Sequence, residues 1–390
     1  MTETTLSAIA PTPLAAALSA DGGPALAAYH GMLTPRLFTP NPTNPAGSSE
    51  SALSEAGLSG LDAPEEEIAA LVDGVAVHDL GWRRRVEVRG EDRFRWLSGM
   101  VTNAVEQLAE NSGAYNLVLN AQGRIQGDAL VWRSADALEM ELDAAQYDAL
   151  LAHLDQFIIM DDVELAPRTE ITALGMAGPK AAALLAGLGV AVPDADLSFA
   201  DSIFDGQPVR VARECSPFVP RFTLWIDALQ FKELWLRLKA LGAVPVGSSA
   251  LETLRVLEGT AAYGQDIQSR DLAQETSLNR ALNFTKGCYL GQEIVERIRS
   301  RGQVHRHLRQ LEIFPGSGEL PSPGAELQFN GKPAGALTSV AAVQLQGARR
   351  IFAIGMIRAE AELAERNEAP LTYPGGEARL LQAPPRLSAS

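Results

Sequence analysis

The chain has 390 residues, 46% hydrophobic and 21% charged, an ordinary globular composition that excludes global disorder. Thirty-three Lys and Arg against 48 Asp and Glu leave a net charge of −15, which argues against a general nucleic-acid binder. No apolar run approaches the ~18–20 residues of a membrane helix, and two cysteines, Cys215 and Cys288, exclude a disulfide framework.

In chain order, residues 1–64 read as a flexible extension. Met1–Gly31 holds a small Ala/Leu-rich piece able to dock as a helix, and Phe38–Pro64 carries four prolines among Ser, Gly and Asn. The first basic residue is Arg36, so no secretory signal and a cytoplasmic location are expected. The globular part is expected from Glu65. Val86 and Val88 alternate with Glu87 and Arg89 as a strand, and Glu91-Asp92 precede helix spacing at Phe94, Leu97 and Val101. Tyr115–Leu119 and Ile125–Trp132 form a hairpin across Asn120–Gly123. A strand at Leu138–Leu142, a helix near Ala144–Asp155 and a strand through Phe157–Leu165 follow.

A similar order recurs. Ile171–Ala177, Pro179–Leu188, Pro208–Arg213 with Phe222–Ile226, Leu229–Leu241 and Ala243–Val246 give β-α-β-β-α-β, the ferredoxin-like split unit. The fold class is therefore α+β, a duplicated ferredoxin-like core over residues 65–303 with its halves divided near 168. Ser249 and Glu252 are spaced as a capping box. Short strands at Leu311–Phe314, Glu326–Phe329, Ala336–Val343 and Arg350–Ile357 predict a small β-barrel over 304–385. The five tryptophans read as core residues.

The chemistry concentrates in Asn283–Arg301, NFTKGCYLGQEIVERIRSR. Gly287 and Gly291 shape a loop, and Gln292–Ile298 reads as a helix that would place Cys288 just before its N-terminus. The helix dipole and Lys286 would both favour a thiolate, whereas Cys215 reads as structural. Arg297, Arg299, Arg301, His305, Arg306, His307 and Arg309 form a basic stripe suited to an anion, and Arg83–Arg85 are candidates to join it. His78, His153, His305 and His307 do not combine with the cysteines in any zinc spacing, so no metal site is expected.

Lys286-Gly287-Cys288-Tyr289-Leu290-Gly291-Gln292-Glu293 with Arg297 resembles the signature of the YgfZ family, folate-binding relatives of the glycine-cleavage aminomethyltransferase (T-protein). Asp79-Leu80 with Val86–Gly90, Thr102-Asn103, Leu119–Ile125, Thr253–Arg255 and Tyr263–Asp266 extend the resemblance over roughly 65–381. It implies two ferredoxin-like halves and a barrel around a central folate cavity. It further implies a tetrahydrofolate-binding accessory factor of iron–sulfur cluster assembly or repair, linked to tRNA modification, with iron–sulfur carrier or client proteins as partners. Cys288 and Lys286 would be its reactive pair, and Asp128, Arg255, Glu258, Tyr263, Lys286, Tyr289, Gln292, Glu293 and Arg297 its binding residues. One cysteine cannot hold an iron–sulfur cluster, so any cluster would be shared with a partner. The alternative is a tetrahydrofolate-dependent aminomethyl transferase of the T-protein type. Two departures weigh against it: the paired aspartates of that enzyme read Gly127-Asp128, and Leu257 takes the place of its pterin-contacting Glu, with Glu258 one later.

Overall fold

Alternating or wholly apolar runs become strands because each of their faces meets a packed layer. The computed structural model describes residues 9–20, 23–39, 63–302, 304–316, 320–345, 348–365 and 370–385. The strands are β1 Leu26–Tyr29, β2 Met32–Pro35, β3 Ala76–Asp79, β4 Arg83–Arg89, β5 Ser112–Leu119, β6 Ile125–Arg133, β7 Leu138–Asp143, β8 Glu164–Pro167, β9 Ile171–Ala177, β10 Ser198–Phe204, β11 Gln207–Arg213, β12 Arg221–Asp227 and β13 Val244–Val246. The C-terminal six are β14 Arg306–Pro315, β15 Glu326–Phe329, β16 Lys332–Leu345, β17 Ala348–Arg358, β18 Leu371–Tyr373 and β19 Gly376–Leu380. The α-helices are α1 Pro13–Ser19, α2 Glu65–Asp73, α3 Arg93–Met100, α4 Tyr147–Asp155, α5 Ala181–Gly187, α6 Phe231–Ala240, α7 Ser248–Glu258, α8 Gln292–Arg301 and α9 Ala359–Glu365.

The duplicated core is one sheet ordered β13-β3-β9-β12-β11-β10-β5-β6-β7-β4-β8. Its midline is thin: β10 meets β5 through the single pair Ser198↔Ser112. On one side, β8-β4-β7-β6 is the ferredoxin-like order, widened by β5. On the other, the corresponding β3-β9-β12-β11 is completed by β3, which comes from ahead of the first half and runs antiparallel to β9. The local end strand β13 is displaced to the edge, parallel to β3. Each half has its own apolar core, Val86, Leu97, Met140 and Leu150 in the first and Leu174, Phe222, Leu234 and Trp235 in the second. All five tryptophans are buried, as expected. The barrel closes as β14-β17-β16-β15-β18-β19, with β18, β19 and α9 added to the expected strands.

Two local expectations are corrected. Residues 9–20 and 23–39 are built into the body rather than preceding it. Pro13 starts α1, the Thr12 hydroxyl accepts the Ala15 N–H at 3.1 Å and donates to buried Asp79, and Leu14 joins the second-half core. Tyr29 and Met32 pack with Trp82 and Trp225. The rest of the Pro-rich stretch, 40–62, lies outside the described residues. Ser249 and Glu252 form no capping box, because α7 starts a residue earlier behind Gly247 and Glu252 is drawn to Arg255 at 2.6 Å.

All eleven residues of α7 are buried, since the helix lies between the sheet and the barrel, against α2, β16 and β17. Arg255 ties these layers together. It donates to Glu252, to the Thr260 carbonyl, to Asp266 at 2.5 Å and to Ser339 of β16 at 2.6 Å. From the barrel, Gln310 Nε2 donates to the last carbonyls of α7, Val256 and Leu257, at 2.7 Å each. The polar joint holds barrel and core in register.

Candidate functional site

A cavity of about 160 Å³ opens between the two halves of the sheet. Its apolar walls include Leu80, Leu130, Leu142, Leu197, Leu251 and Ala261, and Asp128, Asp143, Arg83, Glu214, Tyr115 and Tyr263 bring polar groups to it. Asp128 sits on β6, where the alternation of the strand turns it inward. Tyr115 donates its hydroxyl to Asp128 Oδ2 at 2.6 Å, and Gln146 Nε2 donates to Oδ1 at 2.6 Å while its Oε1 accepts the Asp128 N–H at 2.9 Å. Gly127 makes room, because a Cβ there would stand 2.6 Å from Gln146 Oε1. Burial, and then the nearby Asp143, push the Asp128 carboxyl above its ordinary value. Burial would also raise Asp143, but His30, 2.6 Å away, and Arg83 outweigh it and hold that carboxyl below the usual range. One cavity thus holds two carboxylates pushed in opposite directions.

Its floor is a charged network. Arg83 donates to Glu141 at 2.6 Å, Glu214 at 2.7 Å and Thr223 at 2.9 Å, and Arg221 pairs with Glu214 and with Glu258 at 3.0 Å. Trp132 and Trp225 also donate to Glu141. Burial would ease the protons off Arg83 and Arg221, but the facing carboxylates win and both stay charged. Two buried N–H groups of cavity-lining residues, Trp82 Nε1 and Arg221 Nε, have no partner among the described residues. Among cavity-lining residues, Arg280 lays its exposed guanidinium 5.3 Å over the Tyr115 ring.

Of the binding residues expected from the sequence, Asp128, Arg255 and Tyr263 line this cavity. Arg255 does so as the saturated joint described above, and burial raises the Tyr263 hydroxyl. Glu258 lies beside it, holding Arg221 and accepting from Ser216. Lys286, Tyr289, Gln292, Glu293, Arg297 and Cys288 are not among its lining residues. Lys286, expected to activate the thiol, is engaged with backbone carbonyls. Its ammonium donates to the carbonyls of Ser98, Val101 and Asn103 at 2.5, 2.6 and 2.8 Å, closing the C-terminal end of α3, and burial pushes it down to about 8. Tyr289 is buried 5.0 Å beneath that ammonium, and burial raises its hydroxyl to about 12.

Cys288 is exposed, three residues ahead of the α8 cap at Gly291 and so outside the first turn, where the dipole acts. Gly291 does shape the loop. Its φ is +81°, and a Cβ would stand 2.5 Å from the Asn120 carbonyl, so the signature docks on the β5–β6 turn only through a glycine. Gln292 and Glu293 begin α8. Arg297 lines a separate groove with Arg124 and His305. Most of the basic stripe is neutralised: Arg306 by Asp271 and Glu275, His307 and Arg309 by Glu362, Arg299 by Glu296. The Arg301 side chain lies outside the described set. Arg83 and Arg85 are buried ion-pair partners rather than parts of that surface.

Sequence reasoning missed most of the cavity residues, Asp143, Glu214, Arg221 and Arg280 among them. Cys215, read as structural, lines it just after β11, and Gln146 supports Asp128 from ahead of α4. Tyr29 ends β1 and His30 stands in the turn that follows it. The His30 ring stacks on Trp82 at 4.0 Å and 13°. The available signal was Gly31 between two short apolar runs: its φ is +85°, and a Cβ would stand 2.6 Å from the Ala145 nitrogen.

Among the described residues no helix is long and apolar enough to cross a membrane, and no three metal-ligating side chains gather. The family model described as the GCVT N-terminal domain matches residues 16–286. The chain is 29% identical over 269 residues to an aminomethyltransferase of Rubrobacter xylanophilus, covering 67% of this chain and 70% of that one. It is 28% identical over 283 residues to a chloroplastic protein of Arabidopsis thaliana named as a candidate transferase, spanning 72% of this chain and 65% of that one, and 27% identical over 246 residues to the tRNA-modifying protein YgfZ of Serratia proteamaculans, 63% and 73%. The crystal structure of the glycine cleavage system aminomethyltransferase T from Bartonella henselae superposes with a TM-score of 0.76 over 97% of this chain and 98% of that one, at 18% identity, and so shares the fold. With more than half its length inside the matched model, the chain belongs to the GCVT N-terminal domain family, the folate-binding, aminomethyltransferase-like proteins.

Proposed function

We propose that this chain binds a tetrahydrofolate in the cavity between its halves and serves, from the cytoplasm, as an accessory factor in iron–sulfur cluster assembly or repair, with Cys288 as its outward thiol. The folate part is carried by Asp128, a half-buried carboxylate that Tyr115 and Gln146 fix in place while leaving it further accepting capacity. The cavity fits a reduced pterin on its own chemistry. Asp128 suits ring N–H donors, the unpartnered Trp82 and Arg221 N–H groups suit ring acceptors, the leucine walls suit the flat body, and Arg280 suits the anionic glutamate tail. When bound, the folate would supply a nitrogen able to carry a one-carbon unit. Asp128 would hold an N–H and orient the ring, and the apolar wall would exclude water.

Cys288 is proposed on its signature and its exposure, at a face apart from the cavity lining. A cluster would be shared there with a carrier or client protein, and a link to tRNA, suggested by the name of the Serratia relative, would be indirect. A second reading, a tetrahydrofolate-dependent aminomethyl transferase, is favoured by the oppositely shifted pair Asp128 and Asp143 and by the aminomethyltransferase names of several relatives.

Calorimetry with tetrahydrofolate tests the shared part, with binding expected in wild type and no binding at high micromolar ligand removing it. A deletion strain complemented by wild type or Cys288→Ser separates the rest. Loss of cluster-enzyme activity with Cys288→Ser supports the accessory role. Full complementation, together with turnover in a glycine-cleavage assay with lipoyl carrier protein, supports the transferase.

A further inference from the structure

The cavity holds a histidine that neither the signature nor the charged floor explains. His30 occupies the β1–β2 turn at φ +48°, an uncommon conformation for a residue with a side chain, and its carbonyl accepts the Ala145 N–H at 3.0 Å. Its ring is fixed on three sides: stacked on Trp82, met edge-on by Tyr29 at 4.2 Å, and held through Nδ1 by Asp143 at 2.6 Å. When Nδ1–H donates to a carboxylate, the other ring nitrogen carries the lone pair and the tautomer is set. Nε2 has no partner among the described residues, and His30 lines the same cavity as Asp128.

We propose that His30 is a second acceptor of this site: oriented by Asp143 through Nδ1, its Nε2 takes a hydrogen bond from an N–H of the bound ligand. Asp128 and His30 then read two N–H groups from β6 and from the N-terminal hairpin. Cyclic amines and amidines with adjacent N–H groups, such as the ring of a reduced pterin, match this pair, and oxidised rings lacking those hydrogens match it less well. The ligand class rests on the folate reading above; the acceptor role of His30 does not.

Asp128 accepts from the same ligand, so the variants must separate the two.

Tetrahydrofolate affinity measured by calorimetry at pH 8 in wild type, His30→Gln and His30→Leu does so. We expect His30→Leu to bind about tenfold more weakly at pH 8, the size of one hydrogen bond. His30→Gln, whose side-chain carbonyl also accepts, should recover most of that loss. Wild-type affinity in His30→Leu, or a loss in His30→Gln as large as in His30→Leu, would overturn the proposal while leaving the folate reading intact. No binding by wild type would overturn the folate reading and this ligand class together. Independently of ligand, nitrogen-15 NMR of labelled histidine at pH 8 should show the Nδ1–H tautomer at His30, disturbed in Asp143→Asn, and the Nε2–H tautomer would refute the acceptor role.

Discussion

Asp128→Asn is the substitution that most directly opposes binding to stability. Asparagine keeps the size of the side chain and one acceptor oxygen, so the contacts with Tyr115 and Gln146 can be rearranged in place. What the ligand loses is a charge-assisted hydrogen bond, ordinarily about 1.5–3 kcal/mol. That corresponds to about a 10- to 150-fold weaker Kd for tetrahydrofolate. The effect on folding runs the other way. Burial and Asp143 raise the folded-state carboxyl, so its ionised form destabilises the protein, and its favourable contribution is present in acid and lost as pH rises through the raised value. Asp128→Asn should therefore melt at or above the wild-type temperature at pH 7–8, and the advantage should fade toward about pH 4, where the unfolded aspartate also protonates. Calorimetric titration and thermal melts on the same samples give both readings. An affinity loss below threefold, or a loss that tracks a lowered Tm, would refute the assignment of Asp128 as a ligand acceptor held against its own electrostatic preference.

Arg255→Met should strand Glu252 and Asp266 in the interior and cut the tie to Ser339, destabilising by about 3–5 kcal/mol, the range for breaking a buried pair; a melt within a degree of wild type would contradict this. Because burial lowers Lys286 from 10.5 to about 8, the unfolded chain binds more protons between those values, and wild-type stability should rise with pH across that window. Lys286→Met should flatten that rise in urea titrations at pH 8 and 10, and parallel slopes would count against it. Gly291→Ala forces a left-handed residue and a backbone clash with Asn120, so a loss of about 1–3 kcal/mol and faster amide exchange in 286–294 are expected; unchanged exchange would show that the loop docks by other means. Iodoacetamide should modify exposed Cys288 before half-buried Cys215, and tetrahydrofolate should protect Cys215 alone; protection of Cys288 instead would move the binding site.

The periodic segments were legible because their patterns are local. β4 to β7, α6 and most of the barrel strands fall close to where alternation and helix spacing put them. The shaping glycine of the signature was legible too, though its partner, the Asn120 carbonyl on a distant turn, was not. Lys286 misled because it neighbours Cys288 in sequence, whereas its ammonium is captured by carbonyls nearly two hundred residues earlier. Arg83, Arg84 and Arg85 read as a basic surface because a charge run usually is one, yet β4 has neighbours on both sides, Glu141 and Glu214 meet Arg83, Glu139 meets Arg85, and Arg84 donates to the Gly81 carbonyl. Tyr29 and His30 were overlooked because a short apolar hairpin beside a Pro-rich stretch lacks the length to announce packing. Local pattern also says nothing of which sheet edge a strand will join, so the migration of β3 was invisible.

That migration bears on how the chain can be made and divided. Ala76–Asp79 pairs with a strand emerging from the ribosome about one hundred residues later, so β3 must wait, with its edge unpaired, until β9 arrives. Contacts of such separation slow the search for the native state and leave exposed strand edges open to wrong partners. The two halves are consequently not exchangeable modules. A gene cut between them would send the strand that finishes the second half away with the first, and the two fragments would recover a native sheet only by finding each other.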